Sequence, residues 1–180
     1  MSRSIQTIFI ALILAGSLQT PVFAQGRSQI LFVGTPLAVG VGRYNAVGFQ
    51  PSFDIRYQHP LGANFTITAK TGLDIFLIKS KYKDYFRYYY NSTAGISIPI
   101  TVGPRFYIVD GLYAGLNLGV DIGVNSIALT SFRFEPGFGY AIRLANKNYV
   151  DMGTSFVTSF SEGSGAFSFN FAYGVNLGKK

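Results

Sequence analysis

Hydrophobic and polar residues alternate strictly along residues 112–123. The even positions are Leu112, Ala114, Leu116, Leu118, Val120 and Ile122, and the odd positions are Tyr113, Gly115, Asn117, Gly119, Asp121 and Gly123. A period of two predicts a β-strand with one apolar face and one small or polar face. The segment is longer than most strands of soluble proteins and long enough for a tilted strand that crosses a bilayer.

The same alternation recurs along the rest of the chain. It predicts eight strands, at 29–42, 48–59, 65–78, 96–108, 112–123, 132–144, 149–160 and 166–177. Compact turns at 60–64, 109–111 and 145–148 alternate with more variable loops at 43–47, 79–92, 125–130 and 161–165. An even number of alternating strands, with short turns at one end and longer loops at the other, is typical of outer-membrane barrels. We therefore predict an all-β fold, an eight-stranded antiparallel up-and-down transmembrane β-barrel.

The charged residues of the predicted strands all lie on the polar faces. They are Asp54, Arg56, Lys70, Asp74, Arg105, Asp121, Arg133, Glu135, Arg143 and Asp151. Positive and negative charges balance, as expected in a buried interior where unpaired ions are costly. The same faces are rich in Gly, Ala and Ser, which suits the narrow lumen of an eight-stranded barrel. We predict an interior network of ion pairs and hydrogen bonds, with the apolar faces turned to lipid.

Two soluble folds would have the same alternation but would turn the apolar faces inward. A β-sandwich would bury the apolar faces in its core, and a barrel of lipocalin type would turn them inward around a ligand. Small residues on the polar faces favour the membrane barrel, because a face in water would carry larger polar side chains.

Residues 1–24 have the order of a secretory signal peptide. Arg3 precedes a continuous apolar run at 8–16, and Pro21 precedes a small-residue cleavage pattern that ends at Ala24. The alternative, a membrane anchor helix, would need a longer apolar run. The predicted domains are thus a signal peptide, 1–24, and a barrel, 25–180.

Composition restricts the possible chemistry. The chain has no Cys, which excludes disulfides and thiolate sites. Charged residues make up 13% of it, about half the usual share. The net charge of +7 alone would suit a nucleic-acid partner. We expect no nucleic-acid partner, because a secretory signal exports the chain from the compartment that holds nucleic acid.

Segments 49–61 (F-Q-P-S-F-D-I-R-Y-Q-H-P-L) and 113–123 resemble the small outer-membrane barrel domains of OmpA/OmpX type. The resemblance implies a location in the bacterial outer membrane, contact with membrane lipid and lipopolysaccharide, and a monomer. It also implies insertion by the barrel-assembly machinery, which reads the last strand, with Phe171, Tyr173 and Val175. It places the N-terminus in the periplasm.

Catalysis has little support in the sequence. His59 is the one histidine and stands beside Pro60 at a turn. The enzymes of comparable barrels have their sites at the outer end or outer wall, whereas this orientation places His59 at the periplasmic end. We predict no catalytic residues, no metal and no cofactor. A small or gated porin-like channel and an outer-membrane lipid-modifying enzyme remain as alternatives.

Residues 79–92 form the longest predicted irregular segment. It is basic and aromatic, with Lys79, Lys81, Tyr82, Lys83, Arg87, Tyr88 and Tyr89 as candidate binding residues. One interpretation is a Tyr girdle at the membrane interface followed by a solvated loop. The other is an extracellular segment that binds surface polysaccharide, lipopolysaccharide phosphates or another cell.

Overall fold

A computed structural model of the chain describes residues 28–42, 45–159 and 164–178. The predicted signal peptide lies outside the described residues, as does most of the loop predicted at 161–165. Within the described part, no helix has the length and hydropathy needed to cross a membrane.

The structure is a closed antiparallel β-barrel. Its strands are β1 (Ile30–Gly34), β2 (Leu37–Val41), β3 (Val47–Pro60), β4 (Phe65–Ile78), β5 (Ala94–Tyr107), β6 (Leu112–Gly123), β7 (Ser131–Arg143), β8 (Tyr149–Ser159) and β9 (Ser164–Asn176). From β2 onward each strand pairs with the next along the chain, and β1 and β2 each pair with both β3 and β9, which closes the barrel. Closure leaves no sheet edge, as a barrel in lipid requires.

The first predicted strand is divided in two. Pro36 has no N–H to donate to the sheet, and it separates β1 from β2. The two pieces still run as one member of the wall, because Thr35 donates to the Phe171 carbonyl and the Pro36 carbonyl accepts from Ser52. The prediction of eight strands is confirmed on this basis, with β1 and β2 as one broken strand.

The two ends of the barrel differ. One end, here called the turn end, carries the connections 61–64, 108–111 and 144–148. The other, the loop end, carries the longer connection 79–93 together with 124–130. Gly111 has a φ of 82° in the turn between β5 and β6, which is the left-handed conformation that an Asp-Gly hairpin predicts.

The outer surface of the barrel is apolar. Its large side chains, here called the apolar belt, include Val33, Leu37, Val39, Phe49, Phe53, Ile55, Phe65, Leu77, Ile100, Val102, Phe106, Val120, Phe132, Phe138, Ile142, Phe156, Phe169 and Val175, each at least one-third exposed. Apart from Arg143, the last residue of β7, every charged residue of the described strands lies on the opposite, inward side. The predicted assignment of the two faces is confirmed. An exposed apolar surface of this extent needs lipid around it.

Glycines in the wall make room for large interior rings. The Tyr113 ring lies over Gly139 and Gly153, and the Phe32 ring lies against Gly174. A β-carbon at Gly139 would meet the Tyr113 hydroxyl and approach the Met152 carbonyl oxygen to 2.7 Å. Small residues of the polar faces thus lie where nearby strands place bulky rings in the lumen.

The segment 79–92 is not irregular as predicted. It contains a 3₁₀ turn (Ser80–Tyr82) and an α-helix, α1 (Lys83–Tyr90). The helix forms because the stretch lacks Gly and Pro, carries Asp84 in its first turn and ends at Asn91 in the left-handed conformation, φ 52°. Rings four residues apart also pair along it, with 4.6 Å between the Tyr85 and Tyr89 centroids.

Replacement of Gly139 by Ala tests the fit of ring and wall. We expect Gly139→Ala to lower the free energy of unfolding by about 1–3 kcal/mol, the usual cost of overpacking. Gly62→Ala is the matched control, because a β-carbon there meets nothing within 4 Å. Urea unfolding of both variants, refolded in the same lipid, provides the measurement. Equal stability of the two would contradict the described packing.

Candidate functional site

The charged interior residues fall into two groups stacked along the lumen. The group nearer the turn end is centred on Asp151, which is fully buried on β8. Arg105 Nη1 lies 2.8 Å from Asp151 Oδ2, and Arg56 Nη2 lies 3.0 Å from the same oxygen. The Tyr113 hydroxyl donates to Asp151 Oδ1 across 2.7 Å. One carboxylate therefore serves two guanidinium groups and a phenol.

Aromatic rings enclose these two arginines. The Arg105 guanidinium lies 3.7 Å from the centroid of the Tyr113 ring, and the Arg56 guanidinium lies 4.6 Å from that of Phe32. Cations over ring faces are stabilised most where water is excluded. Towards the turn end, the Tyr107 hydroxyl donates to Gln58 Oε1 across 3.1 Å. This end of the lumen is filled by rings and their polar partners.

The second group lies nearer the loop end and is centred on Arg133. Its Nη1 lies 2.6 Å from Asp74 Oδ2 and 2.9 Å from Asp121 Oδ1, and its Nε lies 3.0 Å from Glu135 Oε2. Lys70 Nζ donates to both Glu135 oxygens, at 2.6 and 2.5 Å. Residues from three strands, β4, β6 and β7, are thus tied together across the lumen.

Two predicted members of the network lie outside these groups. Asp54 is buried on β3, yet it makes none of the ion pairs above, and its Oδ1 has no hydrogen-bond partner among the described residues. Arg143 is exposed, so its predicted place in the interior is wrong. It is the last residue of β7, where a long side chain reaches solvent at the rim.

A cavity of about 90 Å³ opens at the loop end. Asp74 and Asp121 border it, together with Asn45, Gln50 and Ser97. A smaller cavity of about 30 Å³ borders Arg56, Arg105 and Glu135. In the described part of the chain no three acidic or histidine side chains converge as metal ligands would.

His59 is remote from the interior groups. It lies one residue before the end of β3, at an outward position, and its Nδ1 lies 3.3 Å from the Tyr57 hydroxyl. The ring is partly exposed. This placement matches a residue at the turn rather than a base beside a nucleophile.

The basic and aromatic residues of 79–92 are placed together on the loop end by α1 and the turn before it. Lys79 is tied to the rim, because its N–H donates to the Ala46 carbonyl and its Nζ lies 3.4 Å from the Gly40 carbonyl. The other six candidates follow it on the 3₁₀ turn and on α1. All of them except Tyr82 are exposed, namely Lys81, Lys83, Arg87, Tyr88 and Tyr89. None of the residues of α1 is buried.

Sequence reasoning missed the rings that support the arginines. Phe32 is fully buried, and Tyr107 is nearly so. The available signal was periodicity: Phe32 falls between Leu31 and Val33, at a position of the inward set. A bulky ring there was unexpected, because the same face otherwise carries Gly34, Ala38 and Gly40.

Replacement of Asp151 tests the turn-end group. We expect Asp151→Asn to lower the free energy of unfolding by about 3–5 kcal/mol, because two buried guanidinium groups lose their counter-charge. Arg143→Gln should leave it unchanged, because that side chain is exposed. Equilibrium unfolding in lipid vesicles, followed by gel mobility, measures both. If the two variants were equally stable, the interior pairing described above would be wrong.

Comparison with known proteins identifies the architecture. No protein-family model and no curated relative matches the sequence. The crystal structure of Ail, the attachment invasion locus protein of Yersinia pestis, matches with a TM-score of 0.56 at 10% identity, covering 83% of this chain and 99% of Ail.

Two further structures of Ail agree with the first. The structure in a phospholipid bilayer nanodisc matches with a TM-score of 0.53 at 12% identity, over 83% of this chain and 100% of Ail. The complex of Ail with the heparin analogue sucrose octasulfate gives 0.52 at 12% identity, over 83% and 97%. At this identity the likeness concerns the fold, and the resemblance read from the sequence is confirmed at that level. The chain has the fold of the small eight-stranded barrels of bacterial outer membranes.

Proposed function

We propose that this protein is a monomeric integral barrel of the bacterial outer membrane that presents α1 at the cell surface to bind polyanionic molecules, without catalysis. The barrel-assembly machinery would insert it, and outer-membrane lipid and lipopolysaccharide would surround it. In barrels of this type the longer loops face outward from the cell. The loop end, with α1, is accordingly the extracellular end.

The observation that carries the proposal is the charge of the exposed segment 79–90. Lys79, Lys81, Lys83 and Arg87 stand against one acid, Asp84. Apart from Lys79, which is tied to the rim, these cations are exposed. Exposed cations on a short rigid helix attract sulfate and phosphate groups, and Arg binds such groups in a bidentate manner.

The interior supports a structural role for the barrel itself. Ion pairs, hydrogen bonds and rings occupy the lumen at successive levels, and eight strands enclose too little space for a wide aqueous channel. The acidic side chains of the two groups are engaged by Arg, Lys or Tyr rather than left free for chemistry. This arrangement favours neither the channel nor the lipid-modifying enzyme.

The comparison gives independent support for a surface role. Ail is an attachment protein by name, and it forms a complex with an analogue of heparin, a sulfated polysaccharide. The fold alone does not carry that activity to this chain. The basic segment described above supplies the chemistry that such a ligand needs.

Binding of heparin to the protein in lipid nanodiscs tests the proposal. We expect Lys83→Gln/Arg87→Gln to weaken binding about tenfold, since each exposed ion contact contributes up to about 1 kcal/mol. The matched control is Arg143→Gln/Lys147→Gln, which removes two exposed cations at the turn end. Binding should also weaken as salt is raised.

Two results would contradict the proposal. One is an equal loss of affinity in both double variants, which would indicate attraction to net charge rather than to this segment. The other is the absence of heparin binding by the unaltered protein at low salt.

A further inference from the structure

The helix α1 has two unlike faces. Tyr85, Phe86, Tyr89 and Tyr90 share one side, here called the aromatic face, and the Phe86 and Tyr90 rings are stacked with centroids 5.5 Å apart. The remaining residues form the polar face, Lys83, Asp84, Arg87 and Tyr88, since helical positions separate the two sets. Binding of polyanions uses the polar face and leaves the aromatic face without a role.

The protein leaves the three tyrosines of the aromatic face exposed and covers only part of Phe86. Tyr89 is 64% exposed and Tyr85 is 57% exposed, although both sit on the face opposite the charges. Aromatic side chains in this number are costly to leave in water. Three of the four are Tyr rather than Phe, and Tyr is the side chain that favours a boundary between water and lipid headgroups.

The helix α1 follows the outward end of β4 and does not border the cavity at the loop end. The cavity at the loop end is lined by residues from the wall and other loops, and α1 contributes none of those that border it. The helix is therefore not a lid on the lumen. Leu77 is an outward residue of the apolar belt, and the 3₁₀ turn begins three residues later at Ser80. Three residues of extended chain span about 10 Å, which at a strand tilt of about 40° is a rise of about 7–8 Å along the membrane normal. The headgroup layer is about 5–7 Å deep on each side, so the chain reaches its outer part where the turn begins.

We infer that the aromatic face of α1 lies in the headgroup layer of the membrane that the barrel spans. Two observations choose lipid as its occupant. The helix begins six residues after Leu77, the outward residue near the end of β4, and the exposed Lys81, which lies 4.6 Å from the Tyr82 ring centroid, supplies a cation beside the helix for lipid phosphates. The polar face then points away from the membrane and carries Lys83 and Arg87 toward solvent. The inference rests on the membrane placement in the proposed function.

A single-tryptophan experiment tests the inference directly, because the chain has no Trp of its own. Tyr89→Trp places the probe on the aromatic face, and Asp84→Trp places it on the opposite side of the helix. Tyr88 is unsuitable as the control, because its ring packs edge-on against that of Tyr89, with centroids 5.0 Å apart. Both Tyr89 and Asp84 are exposed in the protein, so different lipid quenching of the two probes reports lipid contact rather than protein packing. Phe138→Trp, in the apolar belt, reports whether the barrel is in the bilayer.

The variants are refolded into vesicles of phosphatidylcholine and phosphatidylglycerol, and folding is checked by heat-modifiable gel mobility. We expect lipids brominated near the headgroup to quench Tyr89→Trp at least twice as strongly as Asp84→Trp. Iodide in the aqueous phase should show the reverse order. Phe138→Trp should be quenched by lipids brominated deeper in the acyl chain.

The outcomes separate the two claims. If Phe138→Trp is quenched by lipid while Tyr89→Trp and Asp84→Trp respond alike, the inference about α1 is overturned and the membrane barrel stands. If Phe138→Trp is accessible to iodide and insensitive to brominated lipid, the membrane placement itself fails, and the inference fails with it.

Discussion

The structure depends on neutralising charge inside a narrow closed lumen. The apolar faces of the strands form the outer surface, so the polar faces have no bulk water to meet. A buried ion without a partner is costly, and removing one member of a buried pair costs more than the pair contributes. The two groups centred on Asp151 and Arg133 satisfy this constraint by sharing partners, with one carboxylate serving two arginines and one arginine serving three carboxylates.

The wall and the lumen are fitted to each other by residue size. Large rings over Arg56 and Arg105 occupy space that glycines on neighbouring strands leave open. The same glycines permit the strands to carry Arg, Lys and Tyr inward without widening the barrel. The packing of rings and charged side chains therefore both stabilises the barrel and closes its lumen. Recognition of surface molecules is left to the segment outside the wall.

Much of the fold could be predicted from the sequence because a barrel strand has a simple rule. Period-two alternation identified the strands, and the location of every strand charge on one face gave the orientation.

The pairing partners could not be predicted, because they depend on register across strands. Asp121, for example, required some interior arginine, and only the register of β6 with β7 brings Arg133 within 2.9 Å of it. In the alternation, Arg143 falls on an inward position, but it is the last residue of its strand and is exposed. Alternation alone does not show where the wall of the barrel ends. The helix α1 was missed because its length is too short for a clear helical period, although its Asp84 and Asn91 are signals that fit the observed ends.

The central claim is that the apolar faces meet lipid while the charged faces meet one another. Membrane fractionation combined with gel mobility tests it most directly. The protein is expected in the outer-membrane fraction, to require detergent for release, and to migrate faster in an unheated sample than in a boiled one, because a closed barrel resists unfolding by detergent. A monomer that is soluble without detergent and shows no heat-dependent mobility would contradict the account.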